Sequence, residues 1–311
     1  MQNDGTHLAR VRSIMNKYAI HPKKRLGQHF LMDHNILSKI AGACELGPED
    51  YVVEIGTGLG VLTGYLAEKA RGVLSIEIDA GLAPVLEETL GDIGNIKLLF
   101  ADILKVDVEQ ELQKAFAPAE GFTYKVCANL PYYITTPIIF HLLEKTTRMQ
   151  CAVLMMQKEV ADRLVASPGG KDYGLVTVMV TYHARVEMVS KVSRHCFYPR
   201  PEVESAVLRV IPWQVRPWVV KDETIFKGLV RAAFQKRRKT IQNIVAALFD
   251  VDKEEVARRL DNLGIEPRRR PETLGIEEFR EIADAFFRIG GADRDILQPY
   301  SWSHDPGGSG G

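Results

Sequence analysis

Between Tyr51 and about Pro212, short apolar runs alternate with stretches of helical periodicity. YVVEIG (51–56), VLSIEID (73–79), IKLLFAD (96–102), YKVCANL (124–130), CAVLMM (151–156), VEMVSKV (186–192) and SAVLRVI (205–211) read as strands. Several are apolar throughout instead of at alternate positions, as a sheet covered on both faces requires. VLTGYLAEKA (61–70), LAPVLEETL (82–90) and IIFHLLEK (138–145) read as helices, the last with Thr136 and Pro137 at its N-cap and first turn. Strand–helix alternation predicts an open α/β sheet with right-handed crossovers.

The pattern changes after PWQVRPWVVKD (212–222), which reads as a linker, and the strand signals stop there. The stretch 222–249 has helical spacing, for example at Ile241, Ile244, Val245 and Leu248. EEVARRLDNLG ends on Gly264 at the position just past a helix, and EEFREIADAFFRI (277–289) reads as a further helix. The expected organisation is a basic N-terminal arm (1–30), an α/β domain (31–214), a small helical domain (215–289) and a disordered tail (290–311) ending in DPGGSGG.

Composition narrows the class. The 311 residues are 46% hydrophobic and 26% charged, so a disordered, collagen-like or disulfide-scaffold chain is excluded. No apolar run reaches the roughly 18 residues a membrane span needs, and the N-terminal residues do not read as a secretory signal. The four cysteines (Cys44, Cys127, Cys151, Cys196) lie far apart without C-x-x-C spacing, which argues against a cysteine zinc site and for a cytoplasmic protein. No histidine spacing suggests a metal centre, and no Ser sits on a G-x-S-x-G turn.

The formal net charge of +0, from 40 basic and 40 acidic residues, conceals three basic clusters. Lys23, Lys24 and Arg25 lie near the N-terminus, Lys236, Arg237, Arg238 and Lys239 in the helical region, and Arg268, Arg269 and Arg270 beyond it. Each can neutralise nucleic-acid phosphates, or can be a solvated face.

Candidate chemistry sits at the strand ends. Gly56-Thr57-Gly58-Leu59-Gly60 follows one strand and precedes a helix, and Val61 stands where a dinucleotide fingerprint has its third glycine. That spacing suits a ligand without a pyrophosphate, such as S-adenosylmethionine. Glu77, 21 residues after Gly56, is placed to accept from ribose hydroxyls. Asp102, at the next strand end, is placed to accept from an adenine amino group, or to cap a helix. Asn129-Leu130-Pro131-Tyr132-Tyr133 ends the fourth strand. An exocyclic amino nitrogen is a poor nucleophile because its lone pair is delocalised into the base. The Asn129 side-chain oxygen and the Leu130 carbonyl can grip its two N–H bonds, and they grip harder as positive charge develops. Pro131 stiffens the loop and Tyr132 offers a stacking face. Phe197, in the stiff loop CFYPRP, either clamps the base from the other side or packs in the core.

These motifs, with KKRLGQHFL (23–31), QKEVADRLVASPGGKDYG (157–174) and FYPRPEVESAVLRV (197–210), resemble the rRNA adenine dimethyltransferase family over roughly residues 20–285. The resemblance implies a Rossmann-like class I S-adenosylmethionine-dependent methyltransferase sheet with a small C-terminal helical domain. It implies dimethylation of two adjacent adenines near the 3′ end of small-subunit (16S) rRNA, late in subunit assembly, by a monomer acting on a partly assembled particle. It carries cofactor contacts to His29, Leu31, Gly56, Gly58, Glu77, Asp102 and Asn129, where the family often has asparagine in place of His29. Two other readings stand beside it: a large-subunit rRNA methyltransferase of the macrolide-resistance type, and a non-catalytic assembly factor.

Overall fold

The structure is a computed structural model that describes residues 13–23 and 26–287. The expected tail (290–311), Lys24 and Arg25 lie outside the described residues. The chain divides into two units. Among the described residues, the first holds those up to Ala161 and Val186–Pro212, and the second holds Asp162–Arg185 and Trp213–Phe287.

The first unit is built on seven strands: β1 (Tyr51–Ile55), β2 (Gly72–Glu77), β3 (Ile96–Phe100), β4 (Tyr124–Asn129), β5 (Met149–Gln157), β6 (Ala184–Val192) and β7 (Ser205–Pro212). Their order is β3-β2-β1-β4-β5-β7-β6. β3, β2, β1, β4 and β5 run parallel, and β7 is antiparallel to β5. The helices are α1 (His34–Ala43), α2 (Val61–Ala67), α3 (Ala83–Leu90), α4 (Val108–Phe116) and α5 (Thr135–Lys145). Every residue of β1 and β2 is buried, as their unbroken apolar runs require, whereas β3 at the sheet edge is only half-buried. All seven strand readings are met. The expected cap of α5 is not: the helix starts at Thr135, whose hydroxyl donates to the Pro131 carbonyl at 3.1 Å.

The parallel register aligns the strand ends. Ile55 pairs with Ile76 and with Ala128, and Glu77 pairs with Phe100. The chain leaves β1 toward β2 on one side, and β4 lies on the other. Open α/β sheets form a ligand crevice at such a reversal of strand order, at the carboxyl ends.

The second unit is helical: α6 (Leu175–His183), α7 (Glu223–Gln235), α8 (Ile241–Phe249), α9 (Lys253–Asn262) and α10 (Ile276–Phe286). Residues 162–185, which the expected boundary put in the α/β domain, group with this unit, although Ala184 and Arg185 begin strand β6. α6 carries buried Val178, Met179, Val180 and Tyr182, and Tyr182 packs on Phe226 of α7 with ring centroids 4.8 Å apart. A short, mostly apolar helix cannot be assigned to one core or another from its periodicity alone. The stretch 222–249 forms two helices, because Lys236–Lys239 make an exposed turn and Thr240 caps α8. α9 ends as read: Gly264 has φ +73°. The Gly264 N–H donates to Asp261 O at 2.9 Å and the Ile265 N–H to Leu260 O at 2.9 Å, a Schellman closure.

Phe226, Phe249, Phe279 and Phe286 are fully buried and form the centre of this unit. Phe279→Ala leaves a cavity among them, and such truncations cost about 3–5 kcal/mol. Urea unfolding of the full chain will show the helical unit melting at lower denaturant than in the parent.

Candidate active site

Four strand ends and one incoming segment build a cleft. Its walls include Gly56 and Gly58 after β1, Glu77 and Ile78 after β2, Asp102 after β3, and Asn129 to Ile134 after β4. Residues Leu26 to Phe30 form a further wall.

The glycine loop and the β4 loop touch. Gly56 has φ +81°, and a Cβ there would stand 3.4 Å from the Asn129 carbonyl oxygen. A side chain is therefore opposed by the backbone conformation, with the neighbouring loop at van der Waals contact. The Gly58 N–H donates to Glu77 Oε2 at 2.9 Å, which ties the loop to β2. Glu77 Oε1 accepts the Asp79 N–H at 2.8 Å. Burial raises the Glu77 carboxyl above its ordinary value despite these two bonds. A carboxylate has about four acceptor sites, so two bonds still leave room for a vicinal diol.

Asp102 fulfils the local role and keeps its place in the cleft. Its Oδ1 accepts the Leu104 N–H at 3.1 Å, capping a short helical turn, while the residue lines the cavity. Asn129 ends β4 at the floor. Its Nδ2 donates to the His29 carbonyl at 3.1 Å, which fixes the amide and turns Oδ1 the other way. The Leu130 N–H is held by Met155 O at 2.9 Å, so the Asn129–Leu130 peptide, which leads into the Leu130 carbonyl, is anchored to β5. The Tyr132 hydroxyl bonds to Ser205 Oγ at 2.6 Å, and its ring stacks on His29 with centroids 5.7 Å apart and planes 25° apart. Burial raises the Tyr132 phenol further above its ordinary value, so it stays a neutral hydroxyl.

His29 and Leu31 are brought in by a two-residue ribbon. Phe30–Leu31 pairs antiparallel with Phe197–Tyr198, and His29 Nδ1 lies 2.8 Å from the Pro199 carbonyl. Leu31 lines a smaller hollow that shares Gly56, Gly58 and Asn129 with the main cleft. Phe197 is the exception among the expected site residues. It is 3% exposed and packs in the core with Leu31, Ile36 and Leu37, off the cleft wall. The pairing of Leu31 with Phe197 draws the ring inward, so the core alternative describes its position.

The basic clusters divide. Lys23 Nζ is paired with Asp79 Oδ1 at 2.6 Å, so its charge serves the fold. Lys236, Arg237, Arg238 and Lys239 are all exposed at the C-terminus of α7, where cations complement the helix dipole. Arg268 and Arg270 are exposed, but the guanidinium between them is occupied. Arg269 donates to Glu278 and to Thr273 O, the latter at 2.6 Å.

Sequence reasoning missed the polar network under the loop. Glu54 in β1 is fully buried, and its Oε2 accepts from Thr63 and Ser75, each at 2.6 Å. Ser75 spends its proton on Glu54, so Thr57 in the glycine loop donates to Ser75 at 2.7 Å. Glu54 Oε1 has no hydrogen-bond partner among the described residues. A lone acid inside the apolar run YVVEI was the available signal. Among the described residues, no group of three His, Cys, Asp or Glu is placed to hold a metal, and no helix is long and apolar enough to cross a membrane.

The model of the family "Ribosomal RNA adenine dimethylase" matches residues 20–286. The chain belongs to that family. It is 50% identical over 277 residues to "Ribosomal RNA small subunit methyltransferase A" of Moorella thermoacetica, covering 88% of this chain and 96% of the relative. The Bacillus cereus (strain B4264) protein of the same name is 46% identical over 280 residues, covering 89% and 95%. Among solved structures, a dimethyladenosine transferase from Plasmodium falciparum is 28% identical, with a TM-score of 0.67, covering 82% of this chain and 96% of that one. The 23S rRNA methyltransferase ErmE is also 28% identical, with a TM-score of 0.64, covering 83% and 100%.

Within this dimethylase, the buried acid under the loop generates a pH dependence. Desolvation raises the Glu54 carboxyl from 4.5 to about 8, against the pull of Ser75 and Thr63 and with the help of the nearby Glu77 charge. Between those two values the folded state binds more protons than the unfolded chain, so this residue lowers stability as pH rises through that range, by up to about 1.4 kcal/mol per pH unit. Glu54→Gln mimics the neutral carboxyl and removes that slope. Thermal melts from pH 6 to 9 will decline more steeply for the parent than for the variant.

Proposed function

We propose that this chain transfers methyl groups from S-adenosylmethionine to the exocyclic amino nitrogens of two adjacent adenines near the 3′ end of small-subunit rRNA. In this reading it works as a cytoplasmic monomer on a partly assembled small subunit. The observation that carries the proposal is the amide of Asn129, clamped through Nδ2 on the floor of a cleft lined by the glycine loop, Glu77 and Asp102.

S-adenosylmethionine supplies, when bound, an electrophilic methyl group on a sulfonium. The residues of the cleft fit it: Glu77 accepts from ribose hydroxyls, Asp102 accepts from an amino group, and the glycines admit a ligand close to the backbone. His29 and Leu31 wall the side that the methionine portion would occupy. Asn129 Oδ1 and the Leu130 carbonyl accept the two N–H bonds of the target amino group. Those acceptors gain strength as positive charge develops on nitrogen, so they favour the transition state over the ground state. Pro131 fixes the approach of that carbonyl, with φ −60° and ψ 131°. Tyr132 stacks on the base through the ring face away from His29, a contact worth about 1–3 kcal/mol. Extruding an adenine costs a few kcal/mol, and this stacking offsets part of it. The exposed basic turn Lys236–Lys239, with Arg268 and Arg270, holds rRNA phosphates and gives position without reading sequence.

The likeness to a 23S rRNA methyltransferase supports a second reading on large-subunit rRNA, whereas the relatives at 46–50% identity support the small subunit. Incubation with labelled S-adenosylmethionine and separately purified small and large subunits, both from cells lacking these methylations, separates them. Label in two adjacent adenines of the small subunit is expected, and label confined to the large subunit overturns the proposal.

Asn129→Ala removes one transition-state acceptor and is expected to lower kcat by roughly 10²-fold or more. Single-turnover methyl transfer checks this, and near-parental turnover would remove Asn129 from the mechanism. Reversing the charges of Lys236 and Lys239 to Glu is expected to weaken binding to small subunits. It is also expected to flatten the salt dependence by about one unit of log–log slope for each phosphate no longer neutralised. Filter binding between 50 and 200 mM salt, a range over which phosphate contacts of this kind lose affinity by orders of magnitude, measures that slope.

A further inference from the structure

Two acids follow one another at the end of β2, and the mechanism above uses only Glu77. Asp79 is just as buried, 6% exposed, and its carboxylate is fully engaged. Oδ1 accepts from Lys23 Nζ at 2.6 Å and from the Gly81 N–H at 3.0 Å, and Oδ2 accepts from Gln28 Nε2 at 2.9 Å. Gln28 Oε1 in turn accepts the Lys23 backbone N–H at 2.9 Å, which closes a ring of three side chains. Burial by itself would raise the Asp79 carboxyl, but the bonds from Lys23, Gln28 and Gly81 outweigh it and hold it below its ordinary value. The group is therefore a fixed anion. Gln28 belongs to the segment Leu26–Phe30 that walls the cleft, and the Asp79 N–H is itself the donor to Glu77 Oε1.

We propose that Asp79 is a positioning residue for the methyl donor: by clamping Lys23 and Gln28 it holds the Leu26–Phe30 wall against the cleft, and through its own N–H it sets the Glu77 carboxylate. This deepens, and rests on, the reading of the cleft as an S-adenosylmethionine site. Asp79 touches no substrate in this scheme. It acts through Gln28, His29 and Glu77. The role is distinct from general support of the fold because the ring of bonds has a donor–acceptor polarity that can be inverted. In Asp79→Asn an amide N–H₂ faces the Gln28 N–H₂, donor against donor. In Gln28→Glu two carboxylates face each other. In the double variant, the carboxylate introduced at position 28 accepts from the amide introduced at position 79 and from the Lys23 N–H, and the ring closes again with the same net charge.

The test is calorimetric binding of S-adenosylhomocysteine to the full chain, with backbone hydrogen exchange at residues 26–31 as a second readout. Each single variant is expected to raise Kd by about tenfold, the consequence of losing one charge-assisted hydrogen bond, and to speed exchange in that segment. The Asp79→Asn, Gln28→Glu double variant is expected to recover most of both. Singles that bind as the parent does would overturn the clamp, as would a double variant no better than the singles. A parent that binds no S-adenosylhomocysteine overturns the cofactor reading itself, a different and recognisable failure. Melting temperatures of all four proteins separate the clamp from mere loss of fold: a purely structural Asp79 lowers Tm while the folded protein keeps the parental Kd.

Discussion

The cleft depends on one close approach, that of the Gly56 backbone to the Asn129 carbonyl at the ends of two neighbouring parallel strands. A Cβ at position 56 would lie 3.4 Å from that oxygen, in a backbone conformation, φ +81°, that side chains rarely adopt. β1 and β4 are paired in register, so their exits are held a strand spacing apart whatever the loops do. The loops must then share that narrow space. A glycine on one side and a proline-stiffened turn on the other let the backbone of the glycine loop and the Asn129 residue line the same cavity. The strand order makes this possible, since β1 has β2 on one flank and β4 on the other.

Charge beneath the cleft follows from the same crowding. Glu54 and Glu77 lie on adjacent strands and Asp79 just past the end of the second, all almost wholly buried. Three carboxyls in that space cannot all be equally ionised. The structure separates them by partner. Asp79 receives an ammonium and stays charged; Glu77 receives two backbone N–H groups; Glu54 receives two hydroxyls and is pushed to about 8. Thr57 joins the glycine loop to this set through Ser75, so the protonation of Glu54 and the position of the loop are linked by two hydroxyls.

The strands, the glycine loop and the residues at strand ends were legible because each depends on local pattern. Apolar runs read as buried strands, and Glu77, Asp102 and Asn129 fall on their C-terminal edges by counting along the chain. The Gly264 helix end was legible for the same reason. What was not legible is what depends on contact across sequence distance. Phe197 in a stiff loop is expected as the second clamp on the base, with the core as the alternative, and the fold puts it in the core, paired with Leu31, 166 residues away. The helix α6 looks like part of the α/β run, yet it groups with the second unit, where its Tyr182 packs on Phe226. His29 and Leu31 came only from family resemblance, since nothing in their spacing marks them.

Basic residues show the limit most clearly. Clustering in sequence identifies excess positive charge, but a cation is available to a phosphate only if the fold does not already use it. Arg268, Arg269 and Arg270 are adjacent, and α10 takes the middle one: Glu278, which also accepts the Gly275 N–H at 2.8 Å at the start of that helix, binds the Arg269 guanidinium. Lys23 is spent in the same way on Asp79. A guanidinium paired bidentately with a carboxylate cannot offer the same fork to RNA without abandoning it. Among the described residues, the free positive charge is therefore less than the sequence clusters suggest, and the turn after α7 has four cations exposed in succession.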